Sequence, residues 1–347
     1  MDDGLYSRRM YSNGVGQDMP GPVDLVLLHR TDRMTQFNRR CFLNAAAASC
    51  VLRKVQADGE VGASNIGFAF GTYGMKSLTT ARALGVCAKI GYDGIELALM
   101  PGWPTQPGLL TKQHRSEIRQ QLADLRLTVP SLLENLSCLG TDEQHRINLQ
   151  KLKHATELAH DLSPSSPPSV QSTTGGTVAE WEQSKHRLAK QISDFAKIGE
   201  STRTVVCFKP HVAQAVHDAD RAVWLHRQVG SRWLKIVYDY SHLFLEGLTL
   251  ANSLKQLLPI AHHLQIKDSR GTPEKYEYLL PGDGQTNYVE LFSILKNAHF
   301  SGFVGVEVSA MVHNKPGYDP EATARLCYRR FAPLLDDLGI RRPRPSS

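Results

Sequence analysis

Ile236-Val237-Tyr238-Asp239-Tyr240-Ser241-His242 is an apolar run that stops on a carboxylate and, three residues later, on an imidazole. Three other segments share its grammar: Val205-Val206-Cys207-Phe208-Lys209-Pro210-His211, His263-Leu264-Gln265-Ile266-Lys267-Asp268 and Val304-Gly305-Val306-Glu307. Short β-branched runs bounded by turn residues read as buried parallel strands. Polar groups gathered at the C-terminal ends of such strands are what builds one pocket in the mouth of a closed parallel barrel.

The alternation extends in both directions from these segments. Strands are expected over 65–70, 95–98, 127–133, 169–172, from 204, and over 234–238, 263–266 and 303–308. Helices are expected over 77–90, 111–125, 142–160, 178–198, 218–229, 250–258, 288–298 and 320–338. Eight strand–helix pairs in this order make an α/β chain with one (β/α)8 barrel over 64–340. A doubly wound open sheet is the alternative. It usually announces itself with a glycine-rich first turn, and Gly71-Thr72-Tyr73-Gly74 is not of the G-x-G-x-x-G form. The longest stretch without periodicity, 269–287, follows the seventh strand and holds Leu280-Pro281-Gly282-Asp283-Gly284. A loop of that length on the mouth side reads as a lid or substrate-binding loop, its glycines suiting a turn that needs positive φ.

With 347 residues, 41% hydrophobic and 21% charged, the chain has the make-up of a globular protein. Its formal charge of +6 is confined to the ends: 1–57 carry +3, Arg341, Arg342 and Arg344 in the basic tail 341–347 add +3, and the body between is neutral. A neutral body lacks the electrostatic footprint of a nucleic-acid binder, so no such partner is expected. Residues 1–57 read as a leader that is disordered or removed. Arg39-Arg40 ahead of Cys41-Phe42-Leu43, a weakly apolar run to Leu52, and the small-residue pattern Val55-Gln56-Ala57 resemble a twin-arginine export signal. That predicts an exported, periplasmic or extracytoplasmic protein. The run is too short for a stable membrane span, and Met34 is a more usual start for such a signal than Met1. No C-x-x-C occurs, and Cys87, Cys207 and Cys327 sit in apolar contexts as small buried hydrophobes.

Gly91-Tyr92-Asp93-Gly94-Ile95-Glu96, then Asp239-Tyr240-Ser241-His242, then Lys267-Asp268 with Pro281-Gly282-Asp283-Gly284, and finally Gly302-Phe303-Val304-Gly305-Val306-Glu307 occur in one order. Over 66–338 this set resembles the xylose-isomerase-like barrels, the sugar phosphate isomerase/epimerase superfamily. The resemblance implies proton-transfer chemistry on a small carbohydrate through an enediol. It also implies one divalent metal, Mg or Mn, held by a strand-five Glu, a strand-six Asp, a strand-seven His and a strand-eight Glu. Asp239 and Glu307 match that set, but Lys209 stands at the Glu position and Gln265 at the His position. An ammonium has only donors, and Gln offers a single neutral oxygen. The ligand set is therefore reduced to Asp239, Gln265 and Glu307, and the metal itself is in question. A lysine beside two carboxylates is expected to sit between them as an internal cation, within salt-bridge distance of Asp239 or Glu307.

From the residues and the resemblance together, Lys209, Asp239, Glu307 and His242 are the candidate catalytic groups. Glu134, Glu96, His211, Lys267 and Arg270 are the candidate substrate contacts. Each has a bland reading: a loop cap for Asp239, a satisfied loop histidine for His242, a solvated side chain for Arg270. Lys267 and Asp268 also read as a structural ion pair under the long loop. All strand-end groups, Glu96, Glu134, Lys209, Asp239, Gln265 and Glu307, are expected at one rim. The rivals to an isomerase or epimerase are a non-catalytic carbohydrate-binding barrel and, remotely, an apurinic-endonuclease-like phosphodiesterase, which needs a zinc cluster. A deep pocket with convergent Lys209, Asp239, His242 and Glu307 favours the enzyme; a pocket filled by side chains favours decay. The oligomeric state has no signature in the sequence.

Overall fold

The computed structural model describes residues 65–343; the leader with Arg39-Arg40, together with 344–347, lies outside the described residues. The strands are β1 (Asn65–Gly71), β2 (Gly94–Ala98), β3 (Ser131–Leu133), β4 (Ser169–Thr173), β5 (Val206–Lys209), β6 (Leu234–Asp239) and β7 (Ala261–Ile266). After a hairpin of β8 (Asp268–Thr272) and β9 (Lys275–Leu279), β10 (Ser301–Val306) completes the set. The barrel closes in the order β1-β10-β7-β6-β5-β4-β3-β2, every pair parallel. This is a (β/α)8 barrel.

The return helices begin where the sequence supplies caps. Thr79, Thr111, Thr141, Asp218, Thr249 and Asn287 each accept a backbone N–H of the following first turn, satisfying donors that have no partner inside the helix. Gly91 takes a left-handed φ of 106° to end the first helix and turn the chain into β2.

Strand side chains alternate, so each strand has a helix-facing and a barrel-facing set. Phe68, Phe70, Ile95, Leu97, Leu132, Val170, Val206, Ile236, Tyr238, Leu264 and Val304 are buried in the apolar layer between sheet and helices. Each contributes about 1.5–3 kcal/mol by leaving water. The alternate set, Glu96, Gln171, Lys209, Asp239, His263 and Gln265, is equally buried but polar. Phe303 closes the far end: a Cβ at Gly67 would lie 2.3 Å from its ring and one at Gly94 2.8 Å, so both positions require glycine. The barrel is thus sealed at one end by an aromatic ring and lined above it by hydrogen-bonding groups. Cys87, Cys138, Cys207 and Cys327 are free and buried, and burial pushes the thiols well up from their usual range.

The segment expected to be irregular is partly regular. Beyond Lys267 the chain leaves the barrel as the antiparallel hairpin β8–β9, paired from Asp268↔Leu279 to Thr272↔Lys275. Gly271 (φ +106°) permits it, since a Cβ there would meet the Lys275 carbonyl oxygen at 2.2 Å. The turn beyond is pinned by the Asp268 carboxylate, which accepts from Gly282 N–H at 2.7 Å and Gly284 N–H at 3.0 Å. Gly282 has the expected positive φ (89°). Gly284 is required for another reason: a Cβ would lie 2.7 Å from that of Asp268.

Candidate active site

Four charged side chains from four strands converge at the C-terminal end of the barrel. Lys209, last residue of β5, places its Nζ 2.5 Å from Glu307 Oε2, just past β10, and 3.7 Å from Asp239 Oδ2, last residue of β6. It also donates to Gln265 Oε1 at 2.9 Å. Lys267, just past β7, donates to Asp239 Oδ2 and lies 3.4 Å from Glu307 Oε2. All are at most 7% exposed. Two ammonium groups and two carboxylates make a neutral buried quartet, the condition under which charges tolerate a low-dielectric interior.

Burial opposes ionisation of Asp239, but Lys267, His242 and Lys209 outweigh it and hold its carboxyl well below the usual range. Glu307 is lowered in the same way, burial being overcome by Lys209 and Lys267. Lys209 is raised: its burial favours the neutral amine, and Glu307 and Asp239 more than reverse that. It is therefore a permanent cation at neutral pH.

Glu96 is not at the rim with these groups. It lies within β2, one layer deeper, where its carboxylate accepts from Gln171 Nε2 (2.5 Å) and Gln265 Nε2 (2.8 Å) and meets His263 Nε2 (3.0 Å). Gln265, also expected at the rim, sits inside β7 and bridges the layers, its amide N–H on Glu96 and its oxygen on Lys209. Glu96 is thus a structural carboxylate of the barrel interior rather than a substrate contact.

Above the quartet a cavity of about 330 Å³ is lined by Tyr73, Glu134, Thr173, Lys209, His211, Gln214 and Glu307, among others. Glu134, at 4% exposure, accepts from Asn135 N–H at 2.8 Å, and burial raises its carboxyl from the usual range. His211 is pushed down to about 4 by burial and by Lys209, so it is neutral at pH 7. Its Nδ1 lies 2.8 Å from the Val212 carbonyl oxygen, which only accepts, so the ring proton is on Nδ1 and Nε2 is left as an acceptor.

Asp239, His242 and Lys267 do not line this cavity; they lie beneath its floor. His242 is fully buried, with Nε2 3.1 Å from Lys267 Nζ and Nδ1 2.8 Å from the Tyr278 hydroxyl. Tyr278 belongs to β9 and its ring also stands 5.0 Å from Lys267 Nζ, so the hairpin covers the β6–β7 side of the mouth. Lys267 and Asp268 form no ion pair with each other; one serves the quartet, the other the glycine turn. Arg270 is held by Glu277 across the hairpin at 2.6 Å and is largely exposed, away from the cavity.

Sequence reasoning missed Tyr73, Thr173, Gln214 and Tyr278. Thr173 ends β4 and was legible by the rule that found Lys209. Tyr73 stands in the single 3-10 turn Thr72–Met75 after β1, Gln214 on a loop and Tyr278 on the hairpin, and none follows an apolar run that marks it.

The donor set does not fit a divalent metal. Three oxygen-bearing side chains stand where ligands are expected, but Lys209 Nζ lies against all three. Among the described residues no group of three or more His, Cys, Asp or Glu is placed to hold a metal ion.

Fold and site together define a (β/α)8 barrel with an acid/base cavity at the strand C-termini. The family profile of the xylose isomerase-like TIM barrel matches residues 84–327, and the chain belongs to that family. Over 97 residues it is 34% identical to hydroxypyruvate isomerase of Escherichia coli K12, covering 28% of this chain and 35% of that one. Over 146 residues it is 25% identical to inosose dehydratase of Bacillus anthracis, covering 38% and 48%. The matches therefore span about a third to a half of these curated relatives. Among solved structures, the IolI protein with a bound zinc atom superposes with a TM-score of 0.67 at 18% identity, covering 79% of this chain and 99% of that one. The 3-keto-D-glucoside 4-epimerase of E. coli gives 0.63 at 14%, covering 78% and 100%. A Mycobacterium smegmatis barrel in complex with magnesium gives 0.59 at 15%, covering 79% and 97%. These likenesses show the fold.

Proposed function

We propose that this protein is an isomerase- or epimerase-type enzyme that moves a proton next to the carbonyl of a small hydroxy-carbonyl carbohydrate. The observation that carries the reading is one cavity lined by an ammonium, Lys209, and by two carboxylates, Glu307 and Glu134, whose environments push them apart. Opposed carboxyl shifts in one site mark the base and the acid. Glu307, kept ionised, takes the proton from carbon. Glu134, kept closer to neutral, returns one to carbon. The positive charge of Lys209, fixed in the cavity wall by Glu307 and Gln265, stabilises the oxyanion formed in between through space. Water entering the open cavity then takes the proton from Glu307 and returns one to Glu134, which resets the pair. His211 Nε2 accepts from a substrate hydroxyl and orients it. The cavity lies at the small end of the range for small-molecule sites, which suits a single sugar rather than a chain. Isomerase and inosose dehydratase names among the curated relatives support the reaction class. Of the four groups expected to converge on the pocket, Lys209 and Glu307 line it while Asp239 and His242 lie beneath it. The open space above the quartet is what favours an enzyme over a carbohydrate-binding relic.

The test is solvent exchange. Incubation of the full chain with three- to six-carbon keto and aldo sugars in D2O, followed by proton NMR, should show deuterium entering beside the carbonyl. Glu307→Gln and Glu134→Gln should each stop it while circular dichroism stays unchanged. Absence of exchange across the whole panel would remove the proposal.

We also propose export through the Arg39-Arg40 signal. A reporter joined after Ala57 should be exported, and the Arg39→Lys/Arg40→Lys double variant should retain it in the cytoplasm. Equal export of both would remove this second claim.

A further inference from the structure

Lys209 occupies the centre of its site, not its edge. Its ammonium faces an oxygen from three strands: it donates to Glu307 Oε2 at 2.5 Å and Gln265 Oε1 at 2.9 Å and pairs with Asp239 Oδ2 at 3.7 Å. An ammonium has three N–H donors, and three acceptors face it. Gln265 is turned to suit: its Nε2 is committed to Glu96, so its oxygen points at Lys209. The strand ends therefore converge on a cation, and the cation is part of the chain.

We infer that Lys209 is a built-in replacement for a divalent metal, and that the barrel holds a latent metal site which this one side chain keeps closed. Charge counting carries the argument. Lys209 and Lys267 against Asp239 and Glu307 sum to zero with no added ion. A dication added to that set leaves the quartet two positive charges in excess, which a low-dielectric site rejects. The deeper Glu96 carboxylate, already shared by Gln171, Gln265 and His263, offsets that excess only in part. Lys209→Glu leaves an excess of two negative charges, and a dication then restores neutrality. Adding Gln265→His replaces a neutral oxygen by an imidazole, a better ligand for manganese or zinc. The inference goes beyond the proposed reaction, and its readout is metal content rather than turnover, so either can fail without the other.

Full-length wild type, dialysed against Mn(II) or Zn(II) and then against metal-free buffer, should carry neither by elemental analysis. Calorimetric titration of the wild type should show no saturable binding up to about 1 mM, whereas Lys209→Glu/Gln265→His should bind Mn(II) at least about 100-fold more tightly. Stoichiometric metal in the wild type that Asp239→Asn abolishes would overturn the inference. So would a double variant with native circular dichroism that still takes up no metal. A third measurement needs no variant: in 15N-lysine-labelled wild type the Lys209 ammonium signal should keep its width when Mn(II) is added. Specific broadening of that signal would place the ion at the site and overturn the inference.

Discussion

Replacing Lys267 by Met removes one charge from a neutral buried quartet while nearly conserving volume. Lys267 pairs with Asp239 and lies 3.4 Å from Glu307. At that separation and an effective dielectric near 20 each unit attraction is worth about 5 kcal/mol. Desolvation of the ammonium offsets part of it, and breaking one partner of a buried pair costs about 3–5 kcal/mol net. Asp239→Asn should cost a similar amount, because it leaves Lys267 with Glu307, at 3.4 Å, as its one carboxylate partner among the described residues. The double variant Lys267→Met/Asp239→Asn restores neutrality around Lys209 and Glu307, so it should lie within about 2 kcal/mol of wild type. The assay is equilibrium urea unfolding of all four proteins at pH 7.5, with thermal melts as a check at roughly 2 °C per kcal/mol for a domain of this size. Singles that each lose under about 1 kcal/mol, or a double variant equal to the sum of its singles within about 0.5 kcal/mol, would refute the reading of these groups as one charge-balanced unit.

Acid should weaken the protein in two stages. His211, at about 4 when folded against about 6.5 unfolded, is protonated first in the unfolded chain, so stability declines from about pH 6.5 downward. Asp239 and Glu307, held below the unfolded carboxylate range near 4, contribute stability above it and lose that as pH falls through their lower folded values. Lys209, raised when folded, adds no loss until the pH passes about 10.4. A urea midpoint that stays flat from pH 6.5 to 4 would contradict the His211 stage, and one that stays flat from pH 4 to 2 the carboxylate stage. Glu134→Gln should lower kcat by about 100-fold or more with KM little changed, as expected for an acid acting in the transition state; a change confined to KM would reassign Glu134 to binding. Tyr278→Phe deletes the hydroxyl on His242 and should speed amide exchange in Asp268–Thr272 and Lys275–Leu279 about fivefold, for a net loss of about 1 kcal/mol. Unchanged exchange there would show that the hairpin does not depend on that contact.

Much of the site was legible because parallel strands announce their ends. Lys209, Asp239 and Glu307 each follow an apolar run, and the barrel brings them together. Glu96 was expected at the rim even though its strand was read through to residue 98; β2 does run to Ala98, so the carboxylate points into the barrel below the rim. Register against a neighbour, Gly71↔Glu96, fixes that depth, and a single strand carries no register. Lys267-Asp268 misled for a related reason: adjacent residues of an extended chain face opposite ways, so neighbours in sequence are poor ion-pair partners there. The hairpin of β8 and β9 was read as a loop because Asp268-Ser269-Arg270-Gly271-Thr272 carries no apolar residue. Tyr276 and Tyr278 alternate with Lys275 and Glu277 in β9 and were the signal that was passed over.

The polar lining of the barrel bears on how the chain assembles. Glu96 finds Gln265 and His263 at separations of 169 and 167 residues, and Lys209 finds Glu307 at 98. Until the last strand arrives, a half-formed barrel would have to hold these charges dry and alone, at a cost of several kcal/mol each. Early intermediates are then better off leaving the interior hydrated, and closure becomes the event that expels water and matches donors to acceptors together. Contacts this distant along the chain place folding among the slower topologies. Fragments cut between β4 and β5 should not persist as compact halves, but should recover structure only when mixed.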